Sequence, residues 1–135
     1  PHVWSDWMKQ ALIAADRVVV VATPEIGAVR NAATLMSEIQ GLRPNDKRPH
    51  LVLNQTGLPG RQEIGPHDID RVLKIQPAGS IPFDAKLVSK ACGTGKMLRE
   101  AGPRRPMTKA IATLAKMLSE RSAPQQPKRK RGWFG

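Results

Sequence analysis

The stretch Ala91-Cys92-Gly93-Thr94-Gly95-Lys96-Met97-Leu98 invites a catalytic reading, because Gly-Thr-Gly-Lys ends like a loop that cradles nucleotide phosphates. Such a loop needs backbone N–H groups around the phosphates, a lysine on the β and γ oxygens, and a Ser or Thr hydroxyl on magnesium directly after that lysine. Here Lys96 is followed by Met97, which cannot ligate magnesium. The common pattern also requires glycine where Lys90 stands, and the variant with an early extra lysine requires that lysine where Ala91 stands. Context argues the same way. A phosphate loop joins a buried strand to a helix N-terminus, whereas AKLVSKACGTGKML reads as a helix running out into glycines. Gly93 and Gly95 are expected to terminate that helix, with Met97 and Leu98 packing back on the core.

Little else in the chain could do covalent or metal chemistry. His50 and His67 are isolated in sequence and receive no role, and the single cysteine, Cys92, excludes an internal disulfide framework and reads as a small buried side chain. At 135 residues with 40% hydrophobic composition, the chain has the size and make-up of one domain with its own core. No apolar run approaches the roughly 18 residues that span a bilayer, and no basic-then-apolar leader opens the sequence, so the folded part is expected in the cytosol. The first residue is Pro1 rather than Met, which suggests a piece of something longer.

The elements that would position functional residues alternate between strand and helix. Ser5 is a good N-cap for a first helix over about 5–15, with Trp4, Trp7, Met8, Ala11, Leu12 and Ala15 at helical spacing. RVVVVAT is an uninterrupted β-branched run, the mark of a strand covered on both faces in a parallel sheet. Thr23-Pro24 then sets a capping hydroxyl before a proline suited to a first helical turn, and Ile26, Val29, Ala33, Met36 and Ile39 carry the apolar stripe of a helix ending near Gly41. The polar loop LRPNDKRP leads to a second strand, HLVLNQT, and to the Gly/Pro-rich stretch GLPGRQEIGP. HDIDRVLK reads as a short helix, PAGSIPF as a third strand ending at Pro82, and the fourth helix runs from about Asp84 to Cys92. After an irregular segment, Pro106 opens a last helix with Met107, Ala110, Ile111, Leu114, Ala115 and Leu118 facing inward. Strands separated by helices imply right-handed crossovers and a three-layer parallel α/β arrangement. Three parallel strands bury little and expose long edges, so a missing N-terminal half is expected.

Three stretches taken in order, ADRVVVVATPEIGAVRNAATLM, HLVLNQTG and GSIPFDAKLVSKACGTGKML, resemble the C-terminal half of the ParA/MinD-like (SIMIBI) P-loop ATPase domain. They are more closely similar to its pilus-assembly branch, the CpaE/TadZ proteins of Flp (Tad) pilus systems, and PHVWSDWMKQALIAAD looks like the segment after that branch's D-x-P motif. The resemblance covers residues 1–120 and leaves 121–135 as a basic, disordered tail. It implies that Asn54 contacts an adenine, for which a carboxamide is suited because it donates and accepts at once. A loop-capping role after the strand is the plainer reading of the same residue. Pro82, Phe83 and Asp84 match the turn whose backbone lines the base, while Asp84 is also placed to cap the following helix. Pro1, His2 and Val3 would belong to a segment that responds to the γ-phosphate. Thr23, Pro24, Glu25, Arg30 and Asn31 would lie near an ATP-dependent dimer face, although Glu25 and Arg30 also read as an ordinary solvated pair.

The resemblance further implies ATP and Mg as cofactors of an intact protein that localises or organises a pilus secretion machinery, as a homodimer in the cytoplasm or peripherally at the inner membrane or cell pole. No catalytic residue and no metal ligand fall in this chain, so none of these cofactors is expected to bind it alone and no hydrolysis is expected of it. Members of the pilus branch often carry degenerate loops, which puts hydrolysis by the intact protein in doubt as well.

The formal charge of +11 is uneven: residues 1–100 hold 13 Lys/Arg against 10 Asp/Glu, and residues 101–135 hold 9 Lys/Arg against Glu120 alone. Lys128, Arg129, Lys130 and Arg131 stand beside Trp133 and Phe134. Cations near an anionic leaflet contribute about 1 kcal/mol each, and aromatic rings favour the interfacial zone, so an anionic membrane surface is one partner for this end. Nonspecific DNA is the other, with Arg104, Arg105, Lys109 and Lys116 adding to the tail. The plain reading of the same residues is a solubilising tail, and the alternative function is a basic α/β scaffold that uses no nucleotide or a ParA-like module that binds DNA or membrane.

Overall fold

The computed structural model describes residues 5–120 as six helices around one sheet. In chain order these are α1 (Asp6–Ala14), β1 (Val19–Ala22), α2 (Ile26–Leu42), β2 (His50–Thr56), α3 (Pro66–Leu73), β3 (Gly79–Pro82), α4 (Ala85–Thr94), α5 (Leu98–Ala101) and α6 (Pro106–Ser119). The three strands lie in the order β1-β2-β3 and all pair in parallel. The alternation of β-branched runs and 3.6-period stripes is therefore realised as an α/β sheet, and α5 is a short helix inside the segment expected to be irregular.

Register sorts the side chains between two layers. Val20 pairs with Leu51 and Ala22 with Leu53, and this face meets Val29, Ala32, Met36 and Ile39 of α2 and Ile69 of α3 in the main core. Val52 pairs with Gly79 on the opposite face, where α6 lies so close that a Cβ on Gly79 would come within 2.7 Å of Leu114. A smaller cluster of Leu87, Ala91, Ala101 and Met107, with Ile81 and Leu98 against it, joins α4, α5 and α6 to β3. Leu51, Val52 and Leu53 are all buried, as the expectation of a strand covered on both faces requires.

β1 departs from that expectation. Val21 is 57% exposed, because α2 covers the face that holds Val20 while α6 packs on β3 at the far side of the sheet. The described residues cover the apolar run of β1 on one side only. The first helix departs as well: Trp7 is exposed, no residue of α1 is buried, and Leu12 is its one contact with the main core. What holds the C-terminal end of α1 is Arg43, itself buried, which donates to the carbonyls of Leu12 at 2.9 Å and Ala15 at 2.6 Å and to the Asp46 carboxylate at 2.8 Å. On α6, Met107 and Leu114 point inward as expected, whereas Ile111 and Ala115 are exposed.

Among the described residues, no helix is long and apolar enough to cross a membrane. Truncating Leu53, which is fully buried at the centre of the sheet, is expected to cost about 2–5 kcal/mol of unfolding free energy in urea titrations. Gly79→Ala, which drives a methyl into Leu114, should cost about 1–3 kcal/mol by the same measurement.

Candidate functional site

Parallel strands deliver their carboxyl ends to one edge of the sheet, and in open α/β sheets that edge is where ligands sit. Three loops meet there: 23–25 after β1, 57–65 after β2 and 83–84 after β3. Asn54 pairs in register with Ile81, and Thr56 with Pro82. The Phe83 N–H then extends the ladder by one bond, donating to the Thr56 carbonyl at 2.8 Å. The fold therefore sets Asn54 beside the turn of Pro82, Phe83 and Asp84, residues about thirty positions away in sequence.

The ladder slips between Asn54 and Thr56, where Gln55 bulges out with a φ of +58°. A left-handed backbone is uncommon for a residue with a side chain, and it costs energy that neighbouring bonds must offset. Asn54 supplies one: its Oδ1 accepts the Gln55 N–H at 2.9 Å. Its Nδ2 makes no hydrogen bond among the described residues. Asn54 thus caps its own loop with one end of the carboxamide and leaves the donor end open, so the plain reading and the ligand-contacting reading are compatible.

Asp84 is nearly buried, and its carboxylate does two things. Oδ1 accepts the Leu87 N–H at 3.0 Å, which caps α4 as the sequence suggests. Arg105, ahead of α6, grips both oxygens, Nε to Oδ2 at 2.7 Å and Nη2 to Oδ1 at 2.8 Å. This two-pronged pair holds the Asp84 carboxyl below its ordinary pKa, first through Arg105 and then through the Leu87 N–H, and raises that of Arg105. Arg105 was counted above among the cations available to a polyanion, but its guanidinium is committed to Asp84. The sequence carried no signal for that pair, which spans 21 residues.

The 57–65 loop is also internally tied. Glu63 accepts from the N–H groups of Gly57 at 3.0 and 3.1 Å and of Leu58 at 3.2 Å, and from Arg61 at 2.9 Å. The Gly57 bond foremost, with Arg61 behind it, keeps the Glu63 carboxyl below its usual range. Ile64 N–H donates to the Pro24 carbonyl at 2.7 Å, joining this loop to the turn after β1.

Around that turn Glu25, Arg30 and Asn31 are exposed. Pro24 is fully buried, so it packs the turn and presents no surface of its own. The expected capping by Thr23 does not occur. Its hydroxyl donates instead to the Glu25 carboxylate at 2.9 Å, and α2 starts at Ile26 without a side-chain cap. Pro1, His2, Val3, Lys128, Arg129, Lys130, Arg131, Trp133 and Phe134 lie outside the described residues, as does the proposed tail.

The Gly-Thr-Gly-Lys stretch closes a helix, as its context indicated. Gly95, at φ +62°, is the residue after α4, and the Lys96 N–H folds back to the Ala91 carbonyl at 3.0 Å. Gly93 falls inside α4 rather than ending it, and the Thr94 hydroxyl donates to the Lys90 carbonyl at 2.8 Å. Two expectations here are corrected. Leu87 and Ala91 take the inward positions one turn apart, which turns Cys92 to solvent, and Met97 is exposed while Leu98 alone packs back. No group of three metal-ligating side chains gathers among the described residues. Burial, with Arg17 and Lys47 nearby, lowers the pKa of His50.

For an adenine nucleotide the described residues fit the base side: an open carboxamide donor, the backbone of a tight turn, and a half-exposed Phe83 ring. They carry no loop suited to phosphates.

A carboxyl whose folded pKa is depressed contributes stability that is present above its unfolded pKa and lost as the pH falls through the folded value. Asp84→Asn is therefore expected to lower the melting temperature at pH 7 and to flatten the loss of stability below about pH 4 in acid-denaturation series.

No protein-family model and no curated protein matches the chain. Solved structures do. A ParA family ATPase from Chlorobium tepidum TLS superposes with a TM-score of 0.70 at 20% identity over 83% of this chain and 46% of its own. MinD from Pyrococcus horikoshii OT3, in complex with Mg-ADP, gives 0.70 at 17% identity over 89% of this chain and 48% of its own. The MinC:MinD complex of Aquifex aeolicus gives 0.68 at 21% identity over 91% of this chain and 50% of the matched one. The chain spans about half the length of each. Over nearly all its length, this chain takes the α/β fold of the ParA and MinD ATPases.

Proposed function

We propose that the chain is the C-terminal half of a ParA/MinD-like nucleotide-binding domain and supplies the base side of its adenine pocket. The observation that carries this reading is the register of β2 and β3, which sets the unpaired Asn54 Nδ2 beside the Pro82-Phe83-Asp84 turn at the carboxyl edge of the sheet. The Mg-ADP complex of Pyrococcus horikoshii MinD, a structure of the same fold, supports an adenine nucleotide as ligand. ATP and Mg are then cofactors of the intact protein, with the phosphate loop supplied by the other half. The exposed Val21 supports this division, since β1 is an edge strand with one face uncovered.

The finer reading is a CpaE/TadZ-like protein that localises or organises a Flp (Tad) pilus secretion machinery. It rests on the order and spacing of TPE, VLN and IPFD in the sequence. Glu25, Arg30 and Asn31, exposed at the start of α2, are the candidates for a homodimer face. The Aquifex MinC:MinD complex supports protein partners for this fold as a class. Peripheral contact with an anionic membrane at the inner membrane or cell pole, through the basic C-terminal end, belongs to the same reading, with nonspecific DNA as its rival.

Asn54→Ala in the intact protein is expected to weaken binding of a fluorescent ADP analogue by about tenfold, the size of a lost hydrogen bond to a buried polar group, while the circular dichroism spectrum stays unchanged. Unchanged affinity in the folded variant removes Asn54 from the site, and absence of binding to the intact wild-type protein favours a scaffold that uses no nucleotide.

A further inference from the structure

The bulge at Gln55 is held from both sides. Its N–H is taken by the Asn54 side chain at 2.9 Å, and its carbonyl accepts from Arg61 Nη2. The same nitrogen reaches Glu63 at 2.9 Å, and all the described hydrogen bonds of the Arg61 side chain run through it, because Nε is buried without a partner. That side chain is only 10% exposed, so the ion pair with Glu63 is screened from water and fixed in direction. Glu63 in turn collects the N–H groups of Gly57, at φ +77°, and Leu58. One residue further on, Ile64 N–H bonds the Pro24 carbonyl, and the Ile64 side chain packs against the main core.

We infer that Arg61 and Glu63 form a latch that positions Asn54 for reading the base and couples it to the β1–α2 turn bearing Glu25. The inference rests on the proposed role of Asn54 in contacting adenine. Both residues act through others. Arg61 fixes the carbonyl of Gln55, the residue whose N–H orients Asn54, and Glu63 fixes Arg61 while closing the loop into a turn short enough for Ile64 to reach Pro24. A base bound against Asn54 and a surface formed by the start of α2 would therefore be connected through Arg61, Glu63 and Ile64 of the 57–65 loop rather than across the core. Removal of the carboxylate's charge leaves the side chain the same size but halves what it can accept, so Arg61 loses its charged partner and its hold on the carbonyl of the left-handed Gln55 loosens.

The test uses the intact protein and two variants that keep side-chain bulk, Glu63→Gln and Arg61→Met, each also combined with Asn54→Ala. Affinities for fluorescent ADP and GDP analogues are measured beside backbone amide hydrogen exchange. In each single variant, ADP affinity is expected to fall about tenfold with the preference for ADP over GDP reduced, and the loss should nearly vanish in the Asn54→Ala background, since coupled residues do not add. Exchange should accelerate at Gln55 and Ile64, whose N–H groups bond Asn54 and Pro24 and not the latch itself. Wild-type affinity and selectivity in a folded Glu63→Gln variant overturn the positioning role, as do losses that simply add to that of Asn54→Ala. If the wild-type protein binds no adenine nucleotide, the proposed ligand is wrong. The latch is then decided by exchange alone, and unchanged protection at Gln55 and Ile64 overturns it.

Discussion

Everything in this molecule hangs from the parallel pairing of β2 with its two neighbours. Among the described residues β2 alone is paired on both edges, and its Leu51, Val52 and Leu53 are buried from both faces, so a shift of one residue would move Leu51 and Leu53 out of the main core and drive the side chain of Val52 into it. That hydrophobic constraint fixes where the strand ends. It therefore fixes which residues arrive together at the carboxyl edge: Asn54 opposite Ile81, Thr56 opposite Pro82, and Phe83 bonded back to Thr56. The close approach of Gly79 to Leu114 pins β3 from the other side and sets α6 over it. Chemistry at the edge is thus a consequence of packing in the middle.

The loops at that edge are held by polar groups instead. Asp84 is at once the cap of α4 and the anchor of Arg105, which draws the start of α6 to the end of β3. Glu63 does the corresponding work for the 57–65 loop through Gly57, Leu58 and Arg61. In both cases a carboxylate accepts from backbone, one N–H at Asp84 and two at Glu63, and from an arginine together, an arrangement in which the charged form is favoured and the geometry is specified. The open Asn54 donor is directed by the bond that its own Oδ1 accepts from the Gln55 N–H.

Strand and helix order were legible in the sequence because they depend on local periodicity: the runs VVVA, HLVLNQT and GSIP became the three strands, and the α4 cap at Asp84 followed from residue type and position. The rejection of Gly-Thr-Gly-Lys as a phosphate loop was legible for the same reason, since a glycine in the left-handed region after a helix is a local event. Three features were not. Arg43 sits in what reads as a polar loop, yet is buried against the carbonyls of Leu12 and Ala15, a contact set by tertiary packing. Cys92 and Pro24 exchanged their expected environments, because helix phase and turn geometry, rather than residue type, decided which side faced water. Val21 and Trp7 carry apolar side chains into solvent, where sequence read alone implies cover.

The central claim is that the base of an adenine nucleotide is read at Asn54 and the 82–84 turn, and the most direct measurement is an NMR titration of the intact, isotope-labelled protein with Mg-ADP. The account predicts shift changes at the Asn54 side-chain amide and at the Phe83 and Asp84 backbone amides, with Gly95 and Lys96 unmoved. Changes confined to Gly93 through Lys96, or an unperturbed Asn54 amide at saturating nucleotide, would contradict it.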